Sequence, residues 1–488
     1  MTSGYIITNF LRTLGEEVEV MFPQRSDGYG LNMLYCRKIV EQDSDKNSVV
    51  ITVDNGITKV KEIKYLKEND VTVIITDHHE PLEVLPDCVM CDPFLDENSA
   101  GHHLCGAGVI WKVICIIEDI LRKQEFKFPV GHIVPFHYLS YVAIGTIGDV
   151  MPFTKENLAI MRIGLSLLDK SEVHVLDVLF KNGLFGSHRV NVKNIIFGLN
   201  SMMNACSRMG QIWRACKLFF MEDYSEDEIY AYGQEMKHLN EKRKTENKKA
   251  VEYVLSNYTP KADDKIIVAD IGDFTAGLSG LVATNLVQQF NVPVVIYKKI
   301  MDGKLAAGSV RSVEGLNILE YLEEEKLKGN VESYGGHSMS CGVRFRSDKI
   351  SAFISDMNIL LKDFKFEEQK EFTIDIDAVV KCKDINQELK KEIDQLPYND
   401  TTFNIPTFCL KNVNVTATKP SKDHIQYLFS DDTGTLETIE WHGYPRYKEL
   451  GSPKKVDVVF TVEDLGISCY GKCSDDLNLK ILDIKKVA

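Results

Sequence analysis

Two acidic positions, each at the end of an apolar run, offer the clearest chemistry in the chain. Residues 49–53 lead into Asp54, and residues 71–76 lead into Asp77, which His78 and His79 follow directly. Carboxylate and imidazole side chains suit Mn²⁺, or Mg²⁺ where imidazoles are fewer. Two such ions about 3.5–4 Å apart can activate water for attack on phosphorus. These residues predict a metal-dependent phosphodiesterase centre.

The segments around these residues predict that they meet. Both runs are rich in β-branched residues, as in strands that are buried on both faces of a parallel sheet. Residues 57–69 between them carry apolar side chains at helical spacing. Neighbouring strands lie about 4.8 Å apart, and open α/β sheets bind ligands at the carboxyl edge. Asp54 alone could instead cap a helix, but an adjacent Asp-His-His favours a metal site.

Weaker signals lie further along the chain. Asp149 closes an apolar helix and adds a carboxylate, although an Asp before a turn is common. Arg208 precedes a helix predicted at 211–221, where it is either a phosphate clamp or a surface salt bridge. Residues 308–312, with Ser309 and Arg311, and residues 335–338, with Gly335, Gly336 and His337, read as glycine-rich turns that grip phosphate.

The pattern of elements predicts four domains. Residues 1–185 alternate strands (17–22, 48–54, 71–77 and 88–92) with helices (31–40, 57–69, 107–121 and 138–147), which indicates a doubly wound α/β domain with a parallel sheet. Residues 186–262 form a helical connector that ends in a long charged helix, 225–258. Residues 263–366 are a second α/β domain, and residues 367–488 an all-β barrel of OB size.

Composition sets the broad class. The 488 residues are 44% hydrophobic and 26% charged, as in globular proteins, with no run that reads as a membrane span or a secretory signal. Twelve cysteines without regular spacing indicate reduced thiols and a cytoplasmic location. A net charge of −14 argues against a wholly basic nucleic-acid-binding surface but leaves room for a local basic groove.

Taken together, these segments resemble the DHH phosphoesterase superfamily and, within it, the RecJ-type exonucleases specific for single-stranded DNA. The second to fourth family motifs are similar to residues 53–56, 77–79 and 145–152. Further RecJ segments resemble Arg25 with residues 28–31, and residues 204–208. The DHHA1 motifs resemble residues 308–312 and 335–337, and the RecJ OB domain resembles the C-terminal strands.

The resemblance implies hydrolysis of single-stranded DNA from the 5′ end, in repair or recombination, at a centre of two Mn²⁺ or Mg²⁺ ions. Asp54 would bridge the ions, with His78 and Asp149 on one of them, and Asp77 would be a ligand or orient a histidine. The residues implied to hold phosphates are His79, Arg208, Ser309, Arg311, Gly335, Gly336 and His337. The barrel would guide the strand, with Tyr427 and Trp441 as either stacking platforms or core residues. We expect a monomer whose partners are single-stranded DNA and single-strand-binding or replication proteins.

The chain departs from the family pattern in two places. The first motif, an Asp-x-Asp-x-x-Gly loop, has no counterpart, so we expect the site to lack about half of its ligands and the sheet a central strand. An incomplete gene product or misplaced start is the favoured account; a strand from a separate polypeptide and a non-cleaving paralogue are the alternatives. Residues 396–400 keep only the start of a turn that usually precedes the OB domain.

Two rival functions remain open from the sequence. One is a DHH hydrolase of short oligonucleotides or cyclic dinucleotides, against which the OB-like segment argues. The other is a single-strand-binding or scaffold protein that does not cleave, which the missing first motif supports.

Overall fold

The chain is described from a computed structural model that covers residues 1–24, 30–42, 48–129, 131–171, 173–258, 264–366, 373–396, 405–418, 423–467 and 473–487. Its first domain is built on a parallel sheet of β1 (Val49–Val53), β2 (Thr72–Thr76) and β3 (Val89–Cys91), in that order. The register pairs Val53 with Thr76, so β1 and β2 end at the same level. The prediction of neighbouring parallel strands is confirmed.

Helices cover both faces of this sheet, as a doubly wound domain requires. One face packs a core cluster that includes Ile63, Leu66, Val73 and Ile75, and the other faces the larger core of the domain. The helices are α1 (Thr2–Thr13), α2 (Met33–Gln42), α3 (Val60–Glu68), α4 (Gly106–Lys123) and α5 (Leu139–Gly148).

Two local predictions in this domain are wrong. Residues 17–22 form no strand, because none of the described strands pairs with their backbone. Helix α3 begins at Val60 and not at Ile57, because residues 54–59 form a loop and the Ile57 N–H donates to the Asp77 carboxylate. The motif at Arg25 and residues 28–29 falls outside the described residues.

The connector is helical, as expected. Helices α6 (Lys155–Asp169) and α7 (His174–Lys181) end the first domain, and the connector comprises a π-helical segment (Asn194–Asn200), α8 (Ser201–Arg208), α9 (Ile212–Leu218) and α10 (Glu226–Asn257). A capping box of Ser225 and Glu228 starts α10, whose 32 residues span about 48 Å. One side of α10 is buried, so the predicted exposure holds for the other side only. Within the described ranges, no helix has the length and apolarity that crossing a membrane demands.

The second α/β domain has a mixed sheet in the order β4-β5-β6-β8-β7, in which β4 and β5 are parallel and the other pairs antiparallel. Its elements are β4 (Ile267–Asp270), α11 (Ser279–Phe290), β5 (Val294–Ile300), β6 (Leu305–Arg311), α12 (Ile318–Leu327), β7 (Val331–His337), β8 (Ser340–Arg346) and α13 (Ile350–Leu360). The prediction of glycine-rich turns at residues 308–312 and 335–338 is wrong for most of them. Strand β6 includes Gly308 to Arg311, and strand β7 includes Gly335 to His337. Small residues such as these fit a strand as well as they fit a turn.

The C-terminal domain is an antiparallel sheet in the order β12-β11-β10-β13-β14, with β9 parallel to β10. The elements are β9 (Ala378–Val380), α14 (Gln387–Gln395), β10 (Thr407–Thr418), β11 (Ile425–Ser430), β12 (Thr435–Glu440), α15 (Tyr444–Glu449), β13 (Lys455–Ile467) and β14 (Cys473–Lys486). Over the described residues the predicted barrel does not close by a backbone ladder. Instead the Thr438 hydroxyl donates to Asn478 Oδ1 (2.7 Å), linking β12 to β14 through side chains.

A buried charged cluster fixes the C-terminal domain against the connector. The Lys390 side chain is 3% exposed and lies 2.5 Å from Asp394 Oδ1 and 3.5 Å from Asp464 Oδ1. Arg189, from the connector, reaches Asp464 at 3.2 Å. These opposite charges join the C-terminal domain to the connector.

Candidate metal centre and phosphate-binding surface

Three side chains from three elements converge at the carboxyl edge of the first sheet. His78 Nε2 lies 3.1 Å from Asp54 Oδ1 and 3.4 Å from Asp149 Oδ2. Asp54 follows β1, His78 lies two residues beyond β2, and Asp149 is the C-cap of α5. The structure therefore brings together the three residues that the sequence analysis assigns to metal binding.

The backbone at Asp54 is shaped for this position. Asp54 has φ 62°, a left-handed conformation that is uncommon for residues other than glycine but that Asp and Asn tolerate. The next side chain holds the turn, because Asn55 Nδ2 donates to the Val53 carbonyl (2.9 Å) and Asn55 Oδ1 accepts from the Leu31 N–H (3.0 Å). Asp54 does not cap α3, whose N-cap residue is Lys59, so the helix-cap alternative is wrong.

Asp77 is buried and its carboxylate supports its neighbours. Oδ1 accepts from the His78 N–H (2.8 Å) and lies 2.7 Å from His79 Nδ1, while Oδ2 accepts from the Ile57 N–H (3.1 Å). Of the two roles implied for Asp77, this arrangement favours orienting a histidine over binding a metal. Burial would raise the pKa of Asp77, but the hydrogen bonds to His79 and Ile57 outweigh it, and the pKa is lowered.

The histidines and Asp149 have shifted pKa values. Burial would lower the pKa of His78, but its hydrogen bond to Asp54 and the charge of Asp149 raise it overall. The hydrogen bond to Asp77 raises the pKa of His79. Desolvation in the cleft raises the pKa of Asp149, and the nearby Asp54 charge adds to this. The site thus favours a positive charge between two carboxylates.

A divalent ion fits this donor set. Ligand atoms that share one octahedral ion at about 2.1 Å lie about 3.0 Å apart, close to the two separations from His78 Nε2. A cavity of about 170 Å³ lies beside the carboxylates, lined among others by Thr2, Gly106 and Asn200. A Cβ at Gly106 would overlap the Asp54 carboxylate, so the start of α4 leaves the room that this carboxylate needs. Asp54, His78 and Asp149 would hold the ion.

Two of the predicted phosphate-binding residues, Arg208 and Arg311, lie around the first turn of α11. Arg208 Nη1 donates to the Gly277 carbonyl (3.1 Å), and Arg311 Nη2 lies so close to Gly280 that a Cβ there would be 2.9 Å away. Arg208 ends α8 and faces the start of α11, so it does not serve the start of α9 as expected. Two guanidinium groups beside one helix N-terminus make a surface suited to anions.

Apart from His79, which lies beside Asp77, the remaining predicted residues lie on β6 and β7. The register places Ser309 opposite Gly342, and Gly342 opposite Gly335, which forms a row with little side-chain bulk. His337 ends β7, and its charge offsets a small part of the rise in the pKa of Asp149. Gly336 precedes it with φ 140°. Through His337 the second domain therefore contributes charge near the centre of the first.

Two residues near the centre were missed by the sequence analysis. Gly106 opens α4 within a run of small residues, a signal for a close approach that was not used. Asp92 follows β3, so three successive strands end on an acidic residue. Asp92 is 7% exposed, its Oδ1 accepts from the Phe94 N–H (2.9 Å), and its Oδ2 has no hydrogen-bond partner among the described residues.

The two aromatic residues proposed for strand guidance differ. Tyr427 is fully buried and its hydroxyl donates to Glu440 (3.1 Å), so it belongs to the core of the C-terminal sheet. Trp441 is 39% exposed, with its ring centroid 4.9 Å from that of His424. Of the pair, Trp441 is available for stacking.

Comparison with family models matches three consecutive parts of the chain. Residues 1–146 match the DHH family, N-terminal domain, residues 263–363 the DHHA1 domain, and residues 376–465 the RecJ OB domain. The order is that expected from the sequence. The chain is a DHH-family protein of the RecJ type.

Individual relatives agree with this RecJ-type assignment. The chain is 28% identical over 450 residues to the single-stranded-DNA-specific exonuclease RecJ of Bacillus subtilis, covering 90% of the chain and 54% of the relative. The chain is also 28% identical over 354 residues to the single-stranded-DNA-specific exonuclease RecJ of Thermus thermophilus, covering 72% of the chain and 49% of the relative. The chain thus spans about half the length of these relatives.

Solved structures show the same fold. A RecJ of Thermus thermophilus in complex with Mn²⁺ superposes with a TM-score of 0.74 at 22% identity, over 100% of this chain and 67% of that one. An exonuclease RecJ bound to manganese superposes with a TM-score of 0.62 at 26% identity, over 75% of this chain and 88% of that one. The predicted fold class is confirmed, apart from barrel closure.

Proposed function

We propose that the chain is a metal-dependent phosphodiesterase that hydrolyses single-stranded DNA, as an exonuclease of the RecJ type. The observation that carries the proposal is the convergence of Asp54, His78 and Asp149 beside a cavity. A divalent ion held by these residues would lower the pKa of a bound water and polarise phosphoryl oxygens. Mn²⁺ or Mg²⁺ suits the carboxylates best.

The protein side chains would position the DNA. In this proposal Asp77 holds His79, through Nδ1, so that its other nitrogen faces the scissile phosphate. Arg208, Arg311, His337 and the N-terminus of α11 bind flanking phosphates. The row of small residues along β6, β7 and β8 lets the DNA backbone approach the sheet.

The proposal also covers features that follow from the family. Digestion would run from 5′ to 3′, a second ion would share Asp54, the protein would act as a cytoplasmic monomer in repair or recombination, and domains would end near residues 185, 262 and 366. A second ion needs ligands beyond Asp54, His78 and Asp149, and Asp77 is engaged elsewhere. A chain that binds single strands without cleaving them is therefore the second candidate.

One experiment separates these functions. The chain is incubated with Mn²⁺ and single strands labelled at either the 5′ or the 3′ end, and in parallel with dinucleotides and cyclic dinucleotides. Early release of the 5′ label from long strands supports the proposal. Cleavage of dinucleotides alone would favour a short-substrate hydrolase. Strand binding without release of either label at any Mn²⁺ concentration would favour the non-cleaving protein.

A further inference from the structure

The open end of the β11–β12 hairpin brings three side chains with metal-binding atoms together. Asp423 and His424 directly precede β11, and His442 lies two residues beyond β12. The register pairs Ile425 with Glu440, so both flanking segments leave the hairpin at the same end. One ligand atom from each of the three side chains lies within 4.8 Å of the other two. This cluster lies in the C-terminal domain, apart from the centre at Asp54.

The nitrogen atoms of both imidazoles face the carboxylate. His442 Nδ1 is hydrogen-bonded to Asp423 Oδ2, and His424 Nδ1 lies 3.8 Å from Asp423 Oδ1. The backbone N–H of His442 donates to His424 Nδ1 (3.1 Å). His424 Nδ1 therefore accepts a hydrogen bond in this geometry, and an imidazole nitrogen that can accept can also bind a metal. A simple ion pair with Asp423 would need only one imidazole.

The surrounding backbone holds the three residues in place. Tyr444 N–H donates to the Asp423 carbonyl (2.9 Å), which ties the start of α15 to the segment before β11. His442 has φ 60°, and Trp441 packs edge-on against His424. The three side chains are thus positioned without an ion and need little rearrangement to bind one.

We propose that Asp423, His424 and His442 form a Zn²⁺ site on the C-terminal domain. Two imidazoles and one carboxylate are a ligand set that Zn²⁺ accepts, with a water in the fourth position, whereas Mg²⁺ prefers oxygen ligands. His442 is 73% and Asp423 45% exposed, so an ion can enter from solvent and keep an open position. Binding of the ion to His424 Nδ1 would replace the hydrogen bond that this nitrogen accepts from the His442 N–H.

The test counts zinc on the full chain, prepared without an affinity tag. Wild-type protein, His442→Asn and His424→Gln are dialysed against micromolar Zn²⁺ with excess Mg²⁺, and bound zinc is measured by mass spectrometry. Asn tolerates the left-handed backbone at residue 442. We expect each variant to lose one equivalent of zinc, or to bind it at least tenfold more weakly. The control His174→Gln, at an exposed histidine that starts α7, should retain it.

Two further measurements keep the result decisive. Asp54→Asn should keep this zinc, because the site is separate from the first centre, and loss of all zinc in Asp54→Asn would overturn the proposal. Co²⁺ should give visible absorption that disappears in His442→Asn. Equal zinc content in wild type and in both histidine variants, with all three folded by circular dichroism, would also overturn it.

Discussion

The two α/β domains present their candidate side chains in different ways. In the first domain, Asp54 and Asp77 directly follow parallel strands that end at the same level. In the second, Ser309, Arg311 and His337 belong to antiparallel strands, and their relative positions depend on the register of β6, β7 and β8. The first arrangement concentrates charge at one point, and the second spreads contacts along a surface.

This difference suggests a division of labour. The point-like arrangement around His78 suits a metal centre, because ligand atoms must lie about 3 Å apart. The extended arrangement suits a polymer, whose phosphates recur along its length. If this comparison is right, substitutions in the first domain reduce catalysis steeply, whereas substitutions in the second reduce DNA binding by smaller factors.

The largest effect is expected for Asp54→Asn. Asn keeps the shape of the side chain and tolerates φ 62°, but it removes the negative charge that an ion requires. The rate of single-strand hydrolysis should fall at least about 10³-fold, which corresponds to several kcal/mol of transition-state stabilisation. Asp302→Asn is a matched control, since Asp302 also has positive φ (53°) but lies in an exposed turn between β5 and β6. Unchanged activity in Asp54→Asn would show that the metal assignment is wrong.

The same contrast explains what the sequence could predict. The convergence of Asp54, Asp77 and His78 was predictable because two buried runs joined by one helix form neighbouring parallel strands with aligned ends. The third strand end, at Asp92, carried the same signal. The place of Asp149 beside His78 was implied only by the family resemblance, because the distance between them depends on how α5 packs across the domain.

In the second domain the sequence was less informative. Glycine and serine at residues 308–312 and 335–338 fit a phosphate-binding turn and an antiparallel strand equally well, and only the pairing with β8 distinguishes them. The strand prediction for residues 17–22 is wrong for a related reason. Alternating side chains predict a strand only if a partner strand is present. The closure between β12 and β14 by Thr438 and Asn478 involves a long-range side-chain contact that no local pattern encodes.

A smaller effect is expected for Arg311→Ala. The guanidinium lies at the first turn of α11, where it adds positive charge to a helix N-terminus. Loss of one charge-assisted hydrogen bond to phosphate, about 1.5–3 kcal/mol, should raise KM for single-stranded DNA about tenfold or more while kcat changes little. The salt dependence of binding should also weaken, with the log–log slope smaller by about 0.7. A fall in kcat with unchanged KM would contradict a binding role.

The third prediction concerns pH and the pair of Asp77 and His79. A raised pKa at His79 gives stability that is complete below its ordinary value of 6.5 and is lost as pH rises through the raised value. A lowered pKa at Asp77 gives stability that is present above 3.8 and is lost as pH falls through the lowered value.

The pair should therefore stabilise the metal-free protein most near pH 5. Asp77→Asn should lower the free energy of unfolding there by about 1–2 kcal/mol, at the low end for a charged hydrogen bond because His79 is 37% exposed. The difference from wild type should shrink at alkaline pH. Thermal unfolding between pH 4 and 9 in the presence of a chelator measures this, and a difference that is constant with pH would contradict the assigned pair.

The smallest effect is expected for Gly335→Ala, and it tests the extended surface most directly. A Cβ at Gly335 meets nothing within 4 Å, so the folded protein should be as stable as wild type or more stable by about 0.5 kcal/mol. The neighbouring Gly336→Ala is the contrast, because its φ of 140° and a Cβ 2.7 Å from the Ser340 carbonyl make glycine necessary for the backbone.

If DNA runs along β6, β7 and β8, the added methyl group in Gly335→Ala keeps the phosphate backbone away from the sheet. Affinity for single strands should then fall a few-fold with no loss of stability, measured by fluorescence anisotropy and thermal unfolding on the same samples. If affinity and stability both fall, as expected for Gly336→Ala, the substitution has disrupted β7 and says nothing about where the DNA binds. Full affinity in a stable Gly335→Ala variant would mean that the DNA lies elsewhere, so that the second domain acts through Arg311 and His337 alone.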